Sequence, residues 1–240
     1  MSKKLVAITG ASSGIGKALA MLFASKGHPV LLMARRIEIL NALPIKEKVT
    51  ANVDVTNFEQ VQTAINNAEA VYGPIDLMIN NAGIMPLDNY VDQSLKDKYD
   101  TIDVNVKGVI NGMDAVLKQM IKNQTGTIVN ISSIAGRYTS NAHSIYNGAK
   151  SAVNAITEQA RKENAHNNIR FILIEPGMVD TNLLNLTSEG EILNSYNKAK
   201  KSLNGGLTPE QVADVIAYAY ELPQSVNLKE ILLTHTKQVV

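Results

Sequence analysis

Seven short apolar runs, separated by longer segments of helical period, recur along the whole of this sequence. The runs are Leu5–Ile8, Val30–Met33, Val49–Val53, Leu77–Ile79, Thr127–Ile131, Arg170–Ile174 and Ile231–Leu233. Most show little alternation of apolar and polar residues, which is expected of strands covered on both faces. The segments between them carry the other period. Phe58, Val61, Ile65, Ala68 and Val71/Tyr72 fall on one face of a helix that starts after Thr56-Asn57, and a second helix runs from Val109 through Met113, Val116, Leu117, Met120 and Ile121 to stop near Asn123. Strand, helix and strand joined by short links predict an α/β fold. The expected form is a doubly wound, mostly parallel seven-stranded sheet with helices on both faces, in a single domain over 1–240.

Composition removes several classes of function. The chain has 240 residues, 45% of them hydrophobic and 19% charged, and a net charge of +1, so no global field directs it to nucleic acid or to an anionic membrane. The apolar run at Leu5–Ile8 is too short for a signal sequence and no cleavage site follows it, while Val30–Ala34 falls far below the roughly 20 residues that span a bilayer. A soluble cytoplasmic protein without nucleic-acid or membrane partners is the expectation. There is no cysteine, hence no thiolate site, and His28, His143, His166 and His235 are too scattered for metal ligation. Residues 184–206 stand apart: polar, rich in Asn, Ser and Lys, and ended by Asn204-Gly205-Gly206 before Thr208-Pro209-Glu210 opens another helix. They form either a lid over a site or an ordinary surface helix and loop.

The first strand runs into Thr9-Gly10-Ala11-Ser12-Ser13-Gly14-Ile15-Gly16, and an amphipathic helix follows. Glycines at 10, 14 and 16 permit a tight turn and let backbone N–H groups approach a pyrophosphate at the helix N-terminus. The spacing is G-x-x-x-G-x-G, not the G-x-G-x-x-G of the dinucleotide fingerprint. After the second strand come Arg35 and Arg36, with no acid until Glu38. A carboxylate there would bind a free ribose 2′-hydroxyl, whereas a guanidinium pairs with a 2′-phosphate. NADP is therefore expected over NAD.

Tyr146 and Lys150, four apart, share a helical face, so the ammonium can reach toward the phenol. A neighbouring cation favours phenolate and is expected to lower the tyrosine pKa, fitting it to exchange the proton that accompanies hydride transfer. Ser133 follows the fifth strand, at the sheet end where doubly wound folds bind ligands, and can hydrogen-bond a substrate oxygen. Taken singly, each has a plainer reading, as a chance spacing or a turn serine.

Together these motifs are more specific. Thr9 to Gly16, Asn80-Asn81-Ala82-Gly83, Asn105, Ser133, the Tyr146/Lys150 pair and Pro176-Gly177 occur in an order that resembles the short-chain dehydrogenases/reductases, over nearly the whole chain. The resemblance implies a Rossmann-type fold and hydride transfer between NADP(H) and a carbonyl or alcohol carbon. By it, Tyr146 is the acid/base, Ser133 holds the carbonyl, Lys150 binds the nicotinamide ribose and lowers the Tyr146 pKa, and Asn105 anchors a water in a proton relay. The cofactor would lie along Gly10, Ser12, Ser13, Gly14, Ile15, Gly16, Arg35, Arg36, Asp54, Val55, Asn81, Ala82, Gly83, Tyr146, Lys150, Pro176, Gly177, Val179 and Thr181, with Asp54 facing the adenine and Thr181 the carboxamide. Ser12-Ser13 stand where an arginine sometimes assists the 2′-phosphate in such proteins, so NADP preference rests mainly on Arg35, with Arg36 and Ser12 as helpers.

The tail from Thr208 resembles a bacterial subgroup that oxidises 3-hydroxy acids or reduces assorted carbonyls, so a small 3-hydroxy acid, ketone or aldehyde is the implied substrate. Met85, Arg137, Tyr138, His143 and Met178 are candidates to flank it, from their sequence proximity to the motifs. Two rivals are weaker: a nucleotide-sugar epimerase, for which little chain remains after Pro176, and an NADPH-binding redox sensor, which would not need Ser133, Tyr146 and Lys150. Finally, the resemblance implies a homodimer or homotetramer that pairs helices over 104–121 and 146–162. The apolar band of Val104, Val109, Ile110, Met113, Val116, Leu117, Met120 and Ile121 is wider than one sheet-facing stripe requires. A neighbouring helix of the same subunit is the alternative cover.

Overall fold

In the computed structural model, which describes residues 3–239, each of the seven apolar runs is a strand: β1 (Leu5–Thr9), β2 (Val30–Ala34), β3 (Lys48–Asn52), β4 (Ile75–Asn80), β5 (Thr127–Ile131), β6 (Arg170–Pro176) and β7 (Glu230–Leu233). They form one sheet in the order β3-β2-β1-β4-β5-β6-β7, and every pairing is parallel. Strand order reverses between β1 and β4. At such a switch point the two connections leave in opposite directions and open a crevice at the carboxyl ends of the strands.

Period-two side chains divide the core into two layers. Val6, Ile8, Val30 and Leu32 face one way, against Leu19 and Phe23 of α1 (Gly14–Ser25) and Val212 and Ile216 of α8 (Pro209–Glu221). Leu5, Ala7, Leu31 and Met33 face the other way, toward α3 (Phe58–Tyr72), α5 (Gly108–Asn123) and α6 (Ser144–Glu163). Both faces are therefore dry, which explains why β1 and β2 read as unbroken apolar runs. The edge strands β3 and β7 are only partly covered. Helix starts follow their sequence signals: Asn57 accepts from Gln60 N at 3.1 Å, and Thr208 and Gln211 cap each other reciprocally, with Pro209 in the first turn of α8.

A buried cation fastens the opposite end of the sheet. Arg170, at the start of β6 and 4% exposed, donates to Thr127 Oγ1 at 3.0 Å, Leu222 O at 3.0 Å and Tyr220 O at 2.8 Å. It thereby satisfies carbonyls that the end of α8 leaves open.

The apolar band on α5 is mostly covered inside the subunit. Val109, Met113, Val116 and Met120 are buried in the second layer and Leu117 and Ile121 pack against it, leaving Ile110 as the strongly exposed member. The surplus width is thus largely filled by α3, which packs beside α5. A separate exposed apolar stripe, Leu95, Tyr99 and Ile102, runs along α4 (Leu95–Ile102).

Candidate active site

A cavity of about 920 Å³ opens over the carboxyl ends of the central strands. At one end, the chain turns from Thr9 through Gly10–Ser13 into α1. Gly10 has φ +65°, and a Cβ there would stand 2.9 Å from Ala82 Cα; a Cβ on Gly16 would stand 2.4 Å from Gly10 O. Both positions therefore demand glycine, one for its dihedral and its neighbour, the other for close approach alone. Ser13 offers α1 no side-chain cap and the first turn carries no acid, so its outward N–H groups remain available to an anion. Thr9 Oγ1 accepts from Asn81 N at 2.9 Å and Ala82 N at 3.0 Å, while Asn81 Nδ2 donates to Thr9 O at 2.9 Å. These bonds lock the ends of β1 and β4 around the turn.

Both arginines after β2 line this end, together with Asp54, Val55, Ala82 and Gly83. Arg36 Nη2 donates to Ser12 Oγ at 2.9 Å and Ser13 Oγ at 3.0 Å, so Arg36, rather than Arg35, is the guanidinium fixed against the glycine turn. Asp54 is engaged locally: its Oδ1 accepts from Thr56 N at 2.9 Å and Thr56 Oγ1 at 2.8 Å. Val55 O accepts from Asn111 Nδ2 at 2.7 Å, which seats the loop on α5.

At the other end the structure brings Asn105, Ser133, Tyr146 and Lys150 together. Ser133 follows β5 and caps the short turn Ile134–Gly136, its Oγ accepting from Ala135 N at 3.1 Å. Tyr146 and Lys150 sit in the first two turns of α6 with the ammonium 5.6 Å from the ring centre. Lys150 is 5% exposed and donates to Ile131 O at 2.9 Å; burial brings its pKa down to about 8. The tyrosine does not behave as the Tyr-Lys spacing suggests. Burial, reinforced by the neighbouring Tyr196 phenol, pushes Tyr146 well above the ordinary tyrosine range, and a hydrogen bond with Ser133 only partly opposes it. The cation faces the ring and spends its hydrogen bond on β5, so desolvation wins. Asn105 lies in a π-turn, Asp103–Lys107, between α4 and α5. It is fully buried, and Nδ2 donates to Ile84 O and Thr101 O, both at 2.9 Å, while Oδ1 has no partner among the described residues. An orphaned acceptor of this kind is costly unless it serves a ligand or water.

Pro176, Gly177, Val179 and Thr181 line the wall that follows β6, and beyond them residues 184–206 fold over the cavity. They contain the end of the turn Leu183–Leu186 and α7 (Glu191–Ser202). Leu183, Leu184, Ile192 and Tyr196 pack on Met85, Leu87, Ala135 and Tyr146. Thr187 pins the roof by donating to Met85 O at 3.0 Å and accepting from Leu87 N at 3.1 Å. Of the residues expected beside a substrate, Met85 lines the cavity. His143 stands behind its wall, stacked on Tyr196; Arg137 is tied to Glu175 and Glu230; Tyr138 is exposed; and Met178 gives its N–H to Gln238.

Comparison with known proteins gives this geometry a family. The profile described as short chain dehydrogenase matches residues 4–192. The chain belongs to that family. An oxidoreductase of Listeria monocytogenes, Lmo0432, is 38% identical over 99% of this chain and 98% of its own. Among solved structures, the closed form of serine dehydrogenase complexed with NADP⁺ has a TM-score of 0.90 at 28% identity, covering 98% of this chain and 96% of that one. ElxO with NADP bound has a TM-score of 0.82 at 29% identity, covering 96% of each chain.

This short-chain dehydrogenase also holds site-adjacent residues that the motifs do not mark. Ser132 Oγ bonds Asn154 Oδ1 at 2.5 Å; Asn154 Nδ2 donates to Glu175 Oε1 at 2.7 Å; Arg137 Nε donates to Glu175 Oε2 at 2.7 Å. This chain, buried at Ser132 and Glu175, links the ends of β5 and β6 to α6, and Ser132 Oγ also bonds Lys150 O at 3.2 Å. Asn154 lies one helical turn after Lys150, the one sequence signal that it shares that face. Tyr196 had a signal too, since Ile192 and Tyr196 are four apart in the segment proposed as a lid.

Proposed function

We propose that this short-chain dehydrogenase is an NADP(H)-dependent oxidoreductase that interconverts a small neutral or acidic alcohol and its carbonyl, with Tyr146 as acid/base. The observation that carries the reading is the convergence of Ser133, Tyr146, Lys150 and the orphaned Asn105 Oδ1 in the cavity that also holds the glycine turn. The turn fits a pyrophosphate through its free N–H groups and close glycine packing, and Arg35 and Arg36 fit a 2′-phosphate. The structurally similar proteins that were solved with NADP⁺ or NADP support the same choice.

When bound, the nicotinamide supplies or accepts the hydride. Ser133 and Tyr146 hold the substrate oxygen between two hydroxyls, where charge develops as the hydride moves. A protonated phenol is the form that carbonyl reduction needs, because it can give its proton to the nascent alkoxide. Lys150, with a pKa of about 8, supplies positive charge beside the phenol as that proton leaves. Asn105 Oδ1 holds a water that reconnects the site to solvent. Residues 184–206 act as the lid, kept down by Thr187 and excluding water. A homodimer or homotetramer in the cytoplasm completes the reading, with the exposed stripe on α4 and Ile110 as its contact. The test is oxidation of NADPH against a panel of ketones, aldehydes and keto acids. Turnover with NADPH supports the proposal; tight NADPH binding with no turnover on any of them would favour a redox sensor instead.

A further inference from the structure

Three hydroxyls, not two, reach the hydride end of the cavity. Ser133 and Tyr146 both line it and can converge on one substrate oxygen. Tyr196 comes down from α7 onto the same space and lines the cavity. Its ring is fixed by stacking on His143, with centroids 6.3 Å apart and planes at 26°, and its phenol makes no hydrogen bond among the described residues. Burial raises its pKa, so it is a neutral donor, and it lies near enough to Tyr146 for the two ionised forms to repel.

Around these hydroxyls the wall is apolar: Met85, Leu183, Leu184 and Ile192 pack about Tyr146 and Tyr196. Among the described residues, Lys150 is the one cation at this end without a carboxylate partner, and its ammonium lies 5.6 Å from the Tyr146 ring centre and donates to Ile131 O. Among the described residues, the cations lining the cavity are Arg35, Arg36, Lys96, Lys150 and Lys200. The arginines stand at the glycine-turn end and Lys96 is paired with Asp100 on the surface. Lys200 is bound to Asp180 at 2.7 Å. His143, held below its ordinary pKa by burial, adds no cation at neutral pH. A carboxylate placed against Tyr196 in this apolar wall would lose its hydration and gain only a neutral donor in return, whereas a second neutral oxygen would meet that donor at a smaller desolvation cost.

We infer that the substrate is a neutral compound with two oxygen functions, a hydroxycarbonyl, dicarbonyl or keto ester, whose second oxygen accepts from Tyr196. This narrows the proposed function and rests on it. The experiment compares diacetyl and ethyl acetoacetate with butanone and with acetoacetate, in the intact protein and in Tyr196→Phe. Ethyl acetoacetate is expected to exceed acetoacetate in kcat/KM. The ratio of kcat/KM for diacetyl to that for butanone should fall about five- to tenfold in Tyr196→Phe, as for loss of one hydrogen bond; a merely structural change would lower both substrates alike. Calorimetric titration of diacetyl into Tyr146→Phe with and without Tyr196→Phe reads the same contact without turnover, and should show the same loss of affinity. Preference for acetoacetate over its ester, or an unchanged diacetyl-to-butanone ratio, would overturn the inference. Turnover of none of the four would overturn the oxidoreductase reading, and the titration would then decide this contact alone.

Discussion

Replacing Lys150 by Met should make the ligand-free protein more stable while abolishing its chemistry. A lysine that keeps its proton only to about pH 8 when folded, against 10.5 when unfolded, lowers stability by roughly 3 kcal/mol at neutral pH, at about 1.4 kcal/mol per pKa unit. Methionine keeps the unbranched stem and removes the charge. It also strips Ile131 O of its donor, 2.9 Å away, which takes back about 1 kcal/mol. The net gain is therefore about 2 kcal/mol, a rise in Tm of roughly 4–8 °C for a chain of this size. The sign with pH is fixed by the depressed pKa. Below about pH 8 the penalty is present in full; between about 8 and 10 the unfolded chain binds more protons than the folded one, so the natural protein gains stability and the variant does not. Urea unfolding of both proteins from pH 7 to 10 should show the gap narrowing. A variant less stable at pH 7, or a gap constant across that range, would refute the reasoning.

Three further outcomes follow from other parts of the molecule. Arg36→Ala and Arg35→Ala should each erode the NADP(H) preference in kcat/KM by about tenfold or more, the effect of losing a charge-assisted contact of roughly 1.5–3 kcal/mol; equal kcat/KM with NADPH and NADH in the natural protein would contradict this. Arg170→Met strands the carbonyls of Tyr220 and Leu222 and should lose about 1–3 kcal/mol by urea unfolding, with turnover per folded molecule kept because the site lies at the opposite end of the sheet. Light scattering should give a multiple of the 26.0 kDa subunit mass, and a monomer would remove the role assigned to Leu95, Tyr99, Ile102 and Ile110.

The strands were legible because parallel strands covered on both faces leave contiguous apolar runs, and the glycine turn because its dihedrals and close approaches admit few residues. Other features depend on tertiary placement. Whether Lys150 Nζ meets the Tyr146 hydroxyl or its ring depends on where Ile131 O lies, which i and i+4 spacing does not encode; the expected lowering of the phenol pKa was accordingly reversed by burial. The α5 band pointed outward only as long as α3 was unplaced. That Arg36 rather than Arg35 bonds Ser12 and Ser13 depends on how the chain leaves β2, a matter of one residue in phase. Glu175 and Asn154 carry no motif, since each is defined by its partners across β5, β6 and α6.

The central claim is that Tyr146 exchanges the proton that accompanies hydride transfer. Turnover of Tyr146→Phe with NADPH and a carbonyl substrate, measured beside NADPH affinity by fluorescence titration, tests it most directly. Phenylalanine keeps the packing on Met85 and Ala135 but has no proton to give, so kcat should fall about a hundredfold or more while the Kd for NADPH stays within a few-fold. A variant that binds NADPH normally and retains half the rate would contradict the account.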